Sequence, residues 1–150
     1  MSGVPVIIGP ATDAGRLFPS YKNSIGILTL ETGLPKTCPH GVSIDGMVIL
    51  DFDESRTLVG VELIAPMSAW KGKMAVAQPL GRPGDICLGN GLSGSASYDW
   101  PVVVSKDVQR DMARISFGDT DFNRAVALSD SASALLKNDC LTGFWFSFAR

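Results

Sequence analysis

The residues best suited to chemistry sit directly after a β-branched run. Val48-Ile49-Leu50 leads into Asp51-Phe52-Asp53, two carboxylates at alternate positions. At the end of a parallel strand such a pair can attack phosphorus with one oxygen and move protons with the other beside a magnesium ion. That chemistry needs a crossover helix after the strand. Here Glu54-Ser55-Arg56-Thr57 is followed at once by Leu58-Val59-Gly60-Val61-Glu62-Leu63-Ile64, and so short a connection permits only an antiparallel partner. The two segments form a hairpin, with Val48, Leu50 and Phe52 facing a core and Asp51, Asp53 and Glu54 displayed outward.

Other candidate constellations are weaker. Gly89-Asn90-Gly91-Leu92-Ser93-Gly94 matches a dinucleotide-binding spacing. Only Ile86-Cys87-Leu88 precedes it, and no helical pattern follows to offer an N-terminus to a pyrophosphate. Ser93 lacks the closing glycine of a nucleophile elbow, because Ser95 stands there. His40 is the sole histidine, and with Cys38 it forms Cys-Pro-His. A metal site would have to recruit Cys87 and Cys140 from far along the chain, whereas structural zinc draws on closely spaced pairs. The sequence thus calls for no metal and no cofactor, and it offers no catalytic residue. Three cysteines at wide spacing suit free thiols rather than a disulfide framework.

These residues must be positioned by one domain. The chain has 150 residues, 45% of them hydrophobic and 19% charged, which fits a single globular core. Thirteen basic against fifteen acidic residues, with no Lys/Arg cluster, argue against nucleic acid as a partner. Apolar runs of only a few residues argue against a membrane span. The first ten residues lack a basic, then apolar, leader pattern, so a cytoplasmic location is expected. Residues 1–23 read as an extended lead-in with an edge strand at Val6 to Ile8. Ile25 to Leu30 reads as a strand, Gly33 to Gly41 as a loop, and Pro66 as the end of the hairpin. Residues 66–101, rich in proline and glycine, read as a long loop-dominated connection. Ser105 is placed to cap a short helix through Val108, Met112 and Ala113. Ile115 and Phe117 read as a strand, Ala125 to Leu128 as another, Ser129 to Lys137 as a short helix or extended turn, and Leu141 to Phe148 as a closing strand. On that last strand Phe144, Phe146 and Phe148 share one face and Trp145 the other; with its face uncovered, Trp145 would anchor an interface.

The two halves echo each other. Gly26 to Leu30, Val48 to Asp53 and Leu58-Val59-Gly60-Val61 find counterparts in Ala113 to Phe117, Val126 to Asp130 and Leu141-Thr142-Gly143-Phe144. A duplicated three-strand meander would bury the inner faces of two small sheets together; chance likeness among strands produces the same pattern, and both readings stay open. The expected fold class is α+β, antiparallel meanders with one or two short helices.

The segment from Ile25 to Pro66, carried by Val48-Ile49-Leu50-Asp51-Phe52-Asp53-Glu54 and Leu58-Val59-Gly60-Val61-Glu62-Leu63-Ile64, resembles the domain of unknown function 2283. That family comprises small bacterial proteins with a valine-rich strand, an Asp-aromatic-Asp turn and a second apolar strand. This chain is about twice as long and lacks the turn glycine near Ser55-Arg56. The resemblance implies a small β-rich bacterial protein, some relatives being suspected companions of toxins, and carries over no catalytic residue.

The expectation is a non-enzymatic protein-binding protein, in its most specific form an immunity protein or antitoxin masking a basic toxin domain. Asp51, Asp53, Glu54, Glu62, Trp70 and Trp100 are its candidate contacts. Two alternatives are an enzyme assembled from the middle loops with His40, Asp85 or Asp99, and a structural subunit of a larger assembly.

Overall fold

The computed structural model describes residues 3–22, 26–35, 37–64, 70, 79–89, 95–107, 112–117 and 121–147. Among them the chain is all-β, with no helix, which corrects the α+β expectation. No helix is long and apolar enough to cross a membrane among the described residues. Fourteen strands follow one another among the described residues. The leading strand β1 (Val4–Gly9) is followed by β2 (Phe18–Lys22), β3 (Ile27–Glu31), β4 (His40–Ile44), β5 (Val48–Phe52) and β6 (Leu58–Ile64). The middle of the chain supplies β7 (Arg82–Pro83), β8 (Asp85–Leu88) and β9 (Ser95–Tyr98). The remainder forms β10 (Val102–Asp107), β11 (Met112–Phe117), β12 (Arg124–Ser129), β13 (Ala132–Lys137) and β14 (Cys140–Ser147).

Both segments read as helical are extended. Ser105 lies inside β10, opposite Arg114 of β11, and Met112 and Ala113 belong to β11; Val108 lies outside the described residues. Ser129 to Lys137 closes a hairpin between β12 and β13. Its Ala-Ser-Ala-Leu-Leu run has good helix formers, but residues 132–136 are buried on both faces. Sheet pairing on both edges, with β12 and β14, overrides that local preference. Pro66, Ile25, Ser93 and Phe148 also lie outside the described residues.

The first sheet has the order β2-β3-β6-β5-β4-β9, and the path of the second is β10-β11-β14-β13-β12-β7. Neither is a simple meander: β6 returns beside β3, β14 beside β11, and the last strand of each path joins in parallel. The registers coincide row by row. Pro19, Leu30, Val61, Leu50, Val42 and Ala96 lie side by side across the first sheet. Val104, Ile115, Phe144, Ala134, Val126 and Arg82 do so across the second. Even the irregularities match, because β5–β6 shifts register between Asp51 and Phe52 and β13–β14 between Leu135 and Leu136. The extra residues are Val59 and Thr142, each followed by a glycine, Gly60 and Gly143. Such a bulge bends a strand and re-aims its side chains. The repeat is therefore a five-strand unit rather than a three-strand meander, and the counterpart of β5 is β13, not the Val126 segment matched from sequence.

The two units are interlocked. β1 pairs with the start of β14 in the second sheet through Val4 and Pro5, and over Val6–Gly9 with β8 alone. β8 in turn bridges to the first sheet at Thr57 through Cys87. Within this ribbon Val6 faces Leu88. The Val6 N–H donates to the Asp139 carbonyl at 3.0 Å and the Leu88 N–H to the Arg56 carbonyl at 2.7 Å, so each strand ties down the β-turn of one sheet. Inner-face side chains from both sheets merge into one core that includes Val4, Leu30, Leu50, Phe52, Ile115 and Phe144. Fully burying each such side chain stabilises the fold by about 1.5–3 kcal/mol.

Candidate protein-binding face

The chain reverses between β5 and β6 as the sequence requires, with Leu50 opposite Val61 in antiparallel register. Asp53 closes the turn: its carboxylate accepts the Thr57 N–H at 2.9 Å, its own N–H donates to the Thr57 carbonyl at 2.9 Å, and Arg56 N–H donates to its carbonyl at 2.9 Å. Glu54 is exposed at the tip. Together they line a hollow of about 250 Å³ with Thr32, Leu34, Thr37 and Val59. Asp53 is thus part of the turn's own hydrogen-bonding and only partly available to a partner.

Because Val48, Leu50 and Phe52 face inward, alternation sends Asp51 to the outer face of the first sheet. Glu62 reaches the same face from β6, between Thr29 and Ile49. Gly60 stands between Glu31 and Asp51 in one cross-strand row, which sets those two carboxylate-bearing positions about 10 Å apart across a position without a side chain. The sequence reading missed Glu31, although the alternation of Leu28 and Leu30 already assigns it to the outer face. The carboxylates of Glu31, Glu54 and Glu62 have no hydrogen-bond or ion-pair partner among the described residues. Beside the carboxylates the face is built of small residues. Gly41, Ser43, Ser95 and Ser97 surround Ile49 and leave a shallow hollow of about 330 Å³.

The tryptophans lie elsewhere. Trp70 is only 6% exposed, packed edge-on between Tyr21 at 5.7 Å and Phe146 at 6.3 Å. It joins the two sheets inside the core and presents no contact surface. Trp100 stacks on Tyr98 at 4.1 Å, the rings 10° from parallel, and packs against the margin of the core. Tyr98 is opposite Ile44 in the inward-facing set, so this stack is not on the face carrying Asp51 and Glu62. Trp145 does point away from Phe144 and Phe146, but its face is covered: it is 2% exposed and packs with Leu135, Met112, Phe122 and Ala125.

The residues weighed for catalysis do not converge. His40 opens β4, while Asp99 follows Tyr98, which pairs with Ile44 at the other end of that strand; the length of β4, about 13 Å, separates them. Asp85, 4% exposed, accepts hydrogen bonds from the Thr12 N–H at 3.0 Å and from the Thr12 hydroxyl. It anchors the segment after β1, and a side chain at Gly15 would collide with it. Burial pushes the Cys87 thiol above its usual pKa, against a lowering hydrogen bond with Thr57, which makes it a poor nucleophile. Cys38, Cys87 and Cys140 are not joined in disulfides. No group of three or more His, Cys, Asp or Glu side chains is placed to hold a metal among the described residues.

No protein-family model and no curated protein matches this chain.

Proposed function

We propose that this chain is a non-enzymatic protein-binding protein that engages a basic partner through the outer face of its first sheet. The observation that carries the reading is the contrast between equivalent outer positions: Glu31, Asp51 and Glu62 in the first sheet stand where Ser116, Leu135 and Trp145 stand in the second. Nothing in the fold demands carboxylates there, since the same architecture is satisfied by uncharged residues. Charges spaced near the screening length attract an oppositely charged surface with little mutual repulsion, and they speed its encounter. The hollow between Ile49 and the small residues of β4 and β9 gives an incoming side chain somewhere to sit. Masking a basic toxin domain, as an immunity protein or antitoxin in a bacterial cytoplasm, is the most specific form of this reading. The resemblance of the Ile25 to Pro66 segment to small bacterial proteins supports it. The reading needs no cofactor, nucleic acid or membrane.

Affinity purification of the full chain from its native host at native expression level tests it. A stoichiometric partner of basic composition, released by salt, is expected, with Asp51→Lys/Glu62→Lys retaining at least about tenfold less of it. Equal retention by that variant, with its thermal midpoint unchanged, would exclude this face as the interface.

A further inference from the structure

The second sheet has an open cleft of its own, unrelated to the acidic face. It measures about 520 Å³ and is lined by Ile8, Leu80, Arg82, Asn123, Arg124 and Val126, among others. Arg124 and Ile8 also border a neighbouring hollow of about 450 Å³ that reaches Leu136 and Asp139. The register explains why two cations meet here. Arg82 of β7 is the direct partner of Val126, and Arg124 precedes Val126 by two residues on β12. Alternation therefore puts both side chains on one face, with Cα atoms about 8 Å apart.

Neither guanidinium has a hydrogen bond or ion pair among the described residues. Asp139, a carboxylate bordering the second hollow, does not come within ion-pair distance of Arg124. Two adjacent unpaired guanidinium groups repel each other, and an oxyanion held between them removes that repulsion while using their planar donor forks. The fold does not call for the pair. At the positions that match Arg82 and Arg124 by register, the first sheet carries Ala96 and His40. Beside the arginines and Asn123 the lining supplies apolar side chains: Ile8 and the 3% exposed Val126 lie next to the arginines, and Leu80, 97% exposed, projects at the rim. A concave surface that sets apolar side chains beside a few charged groups is a common make-up of a small-molecule site.

We infer that this cleft binds a small organic oxyanion, a carboxylate or phosphate monoester on a short apolar chain. The oxyanion lies between Arg82 and Arg124, and the chain lies against Ile8 and Val126. Asn123 shapes the wall rather than the ligand contact, because its side chain is engaged with the Asn138 backbone N–H at 3.0 Å and the Asn138 side chain at 3.3 Å.

Titration calorimetry and amide chemical-shift mapping on the full chain, with hexanoate, hexyl phosphate, inorganic phosphate and hexanol as probes, test the inference. Saturable one-to-one binding of hexanoate or hexyl phosphate is expected, with shifts at Ile8, Arg82 and Arg124; the tighter of the two names the headgroup. Arg82→Ala and Arg124→Ala should each weaken binding at least about tenfold. Both side chains are exposed, so an unchanged thermal midpoint is expected to show that these variants fold. Hexanol binding as tightly as hexanoate would overturn the role of the arginines. Inorganic phosphate binding as tightly as hexyl phosphate would overturn the apolar half of the site, and no saturable binding of any probe would overturn the whole.

Discussion

The two sheets have the same strand order, the same cross-strand rows and the same bulge, yet their outer faces have opposite characters. On the first, Glu31, Asp51 and Glu62 share the solvent side with a shallow hollow lined by Gly41, Ser43, Ile49, Ser95 and Ser97. On the second, Leu135 and Trp145 form a small apolar cluster covered by Phe122, Met112 and Ala125. Arg114 lies there in register with Trp145 and sits over the Phe122 ring at 4.9 Å; burial draws its guanidinium below the usual pKa, partly offset by Asp121. Inner rows are alike in kind and complementary in size. Leu50 beside Val61 in the first sheet becomes Ala134 beside Phe144 in the second, a large and a small side chain exchanged about a common volume. The inner face specifies the architecture, since any set of apolar side chains that fills the shared core will do. An outer face is released from that duty and can either be covered or carry recognition.

Exchanging equivalent outer residues probes the comparison most severely. Trp145→Glu places a charge in a covered site and should cost about 4 kcal/mol or more, enough to be read as a large loss in the urea midpoint. Next comes the glycine shared by both bulges. A Cβ at Gly143 would lie 2.1 Å from the Ile115 carbonyl oxygen, so Gly143→Ala should cost about 3 kcal/mol, measured in the same way. The inner pair gives a smaller, diagnostic effect. Phe144→Val alone should lose about 2 kcal/mol through the space it leaves, whereas Ala134→Leu/Phe144→Val copies the first sheet's pair and should lose less than about 1.5 kcal/mol. Additive losses in that cycle would show that the two cores are not volume-equivalent. The smallest effect belongs to Glu62→Trp, the reciprocal of the first exchange, which should stay within about 0.5 kcal/mol of wild type because its site is on the solvent side. Similar losses from Glu62→Trp and Trp145→Glu would end the distinction between the faces.

Local pattern made the β5–β6 hairpin legible: Val48, Leu50 and Phe52 take alternate positions, Asp51 and Asp53 flank Phe52, and the turn between the strands is short. The same rule located Asp51 and Glu62 on one outward face and, applied to β3, would have added Glu31. It failed on β13, where burial on both sides erases alternation and leaves an alanine- and leucine-rich string that looks helical. It had no hold on Trp70 and Trp100. An indole in a proline- and glycine-rich stretch reads the same whether it plugs a core or meets a partner, and only Tyr21 and Phe146 reveal which Trp70 does. The arginine cleft had no linear signature at all, because 42 positions separate Arg82 from Arg124 in the chain.

What the amino-acid order determined alone was the short-range part: where the chain turns back, which side of a half-buried strand is apolar, and which carboxylates cluster near a turn. Those follow from two-residue periodicity and turn chemistry, which act over a few residues. The tertiary structure decided the return of β6 and β14 beside β3 and β11, the exchange of β1 and β8 between the sheets, and the covering of one outer face but not the other. Each of these depends on backbone hydrogen bonds and packing between segments tens of residues apart. Their free energy appears only when both partners are in place, so neither partner alone carries its trace.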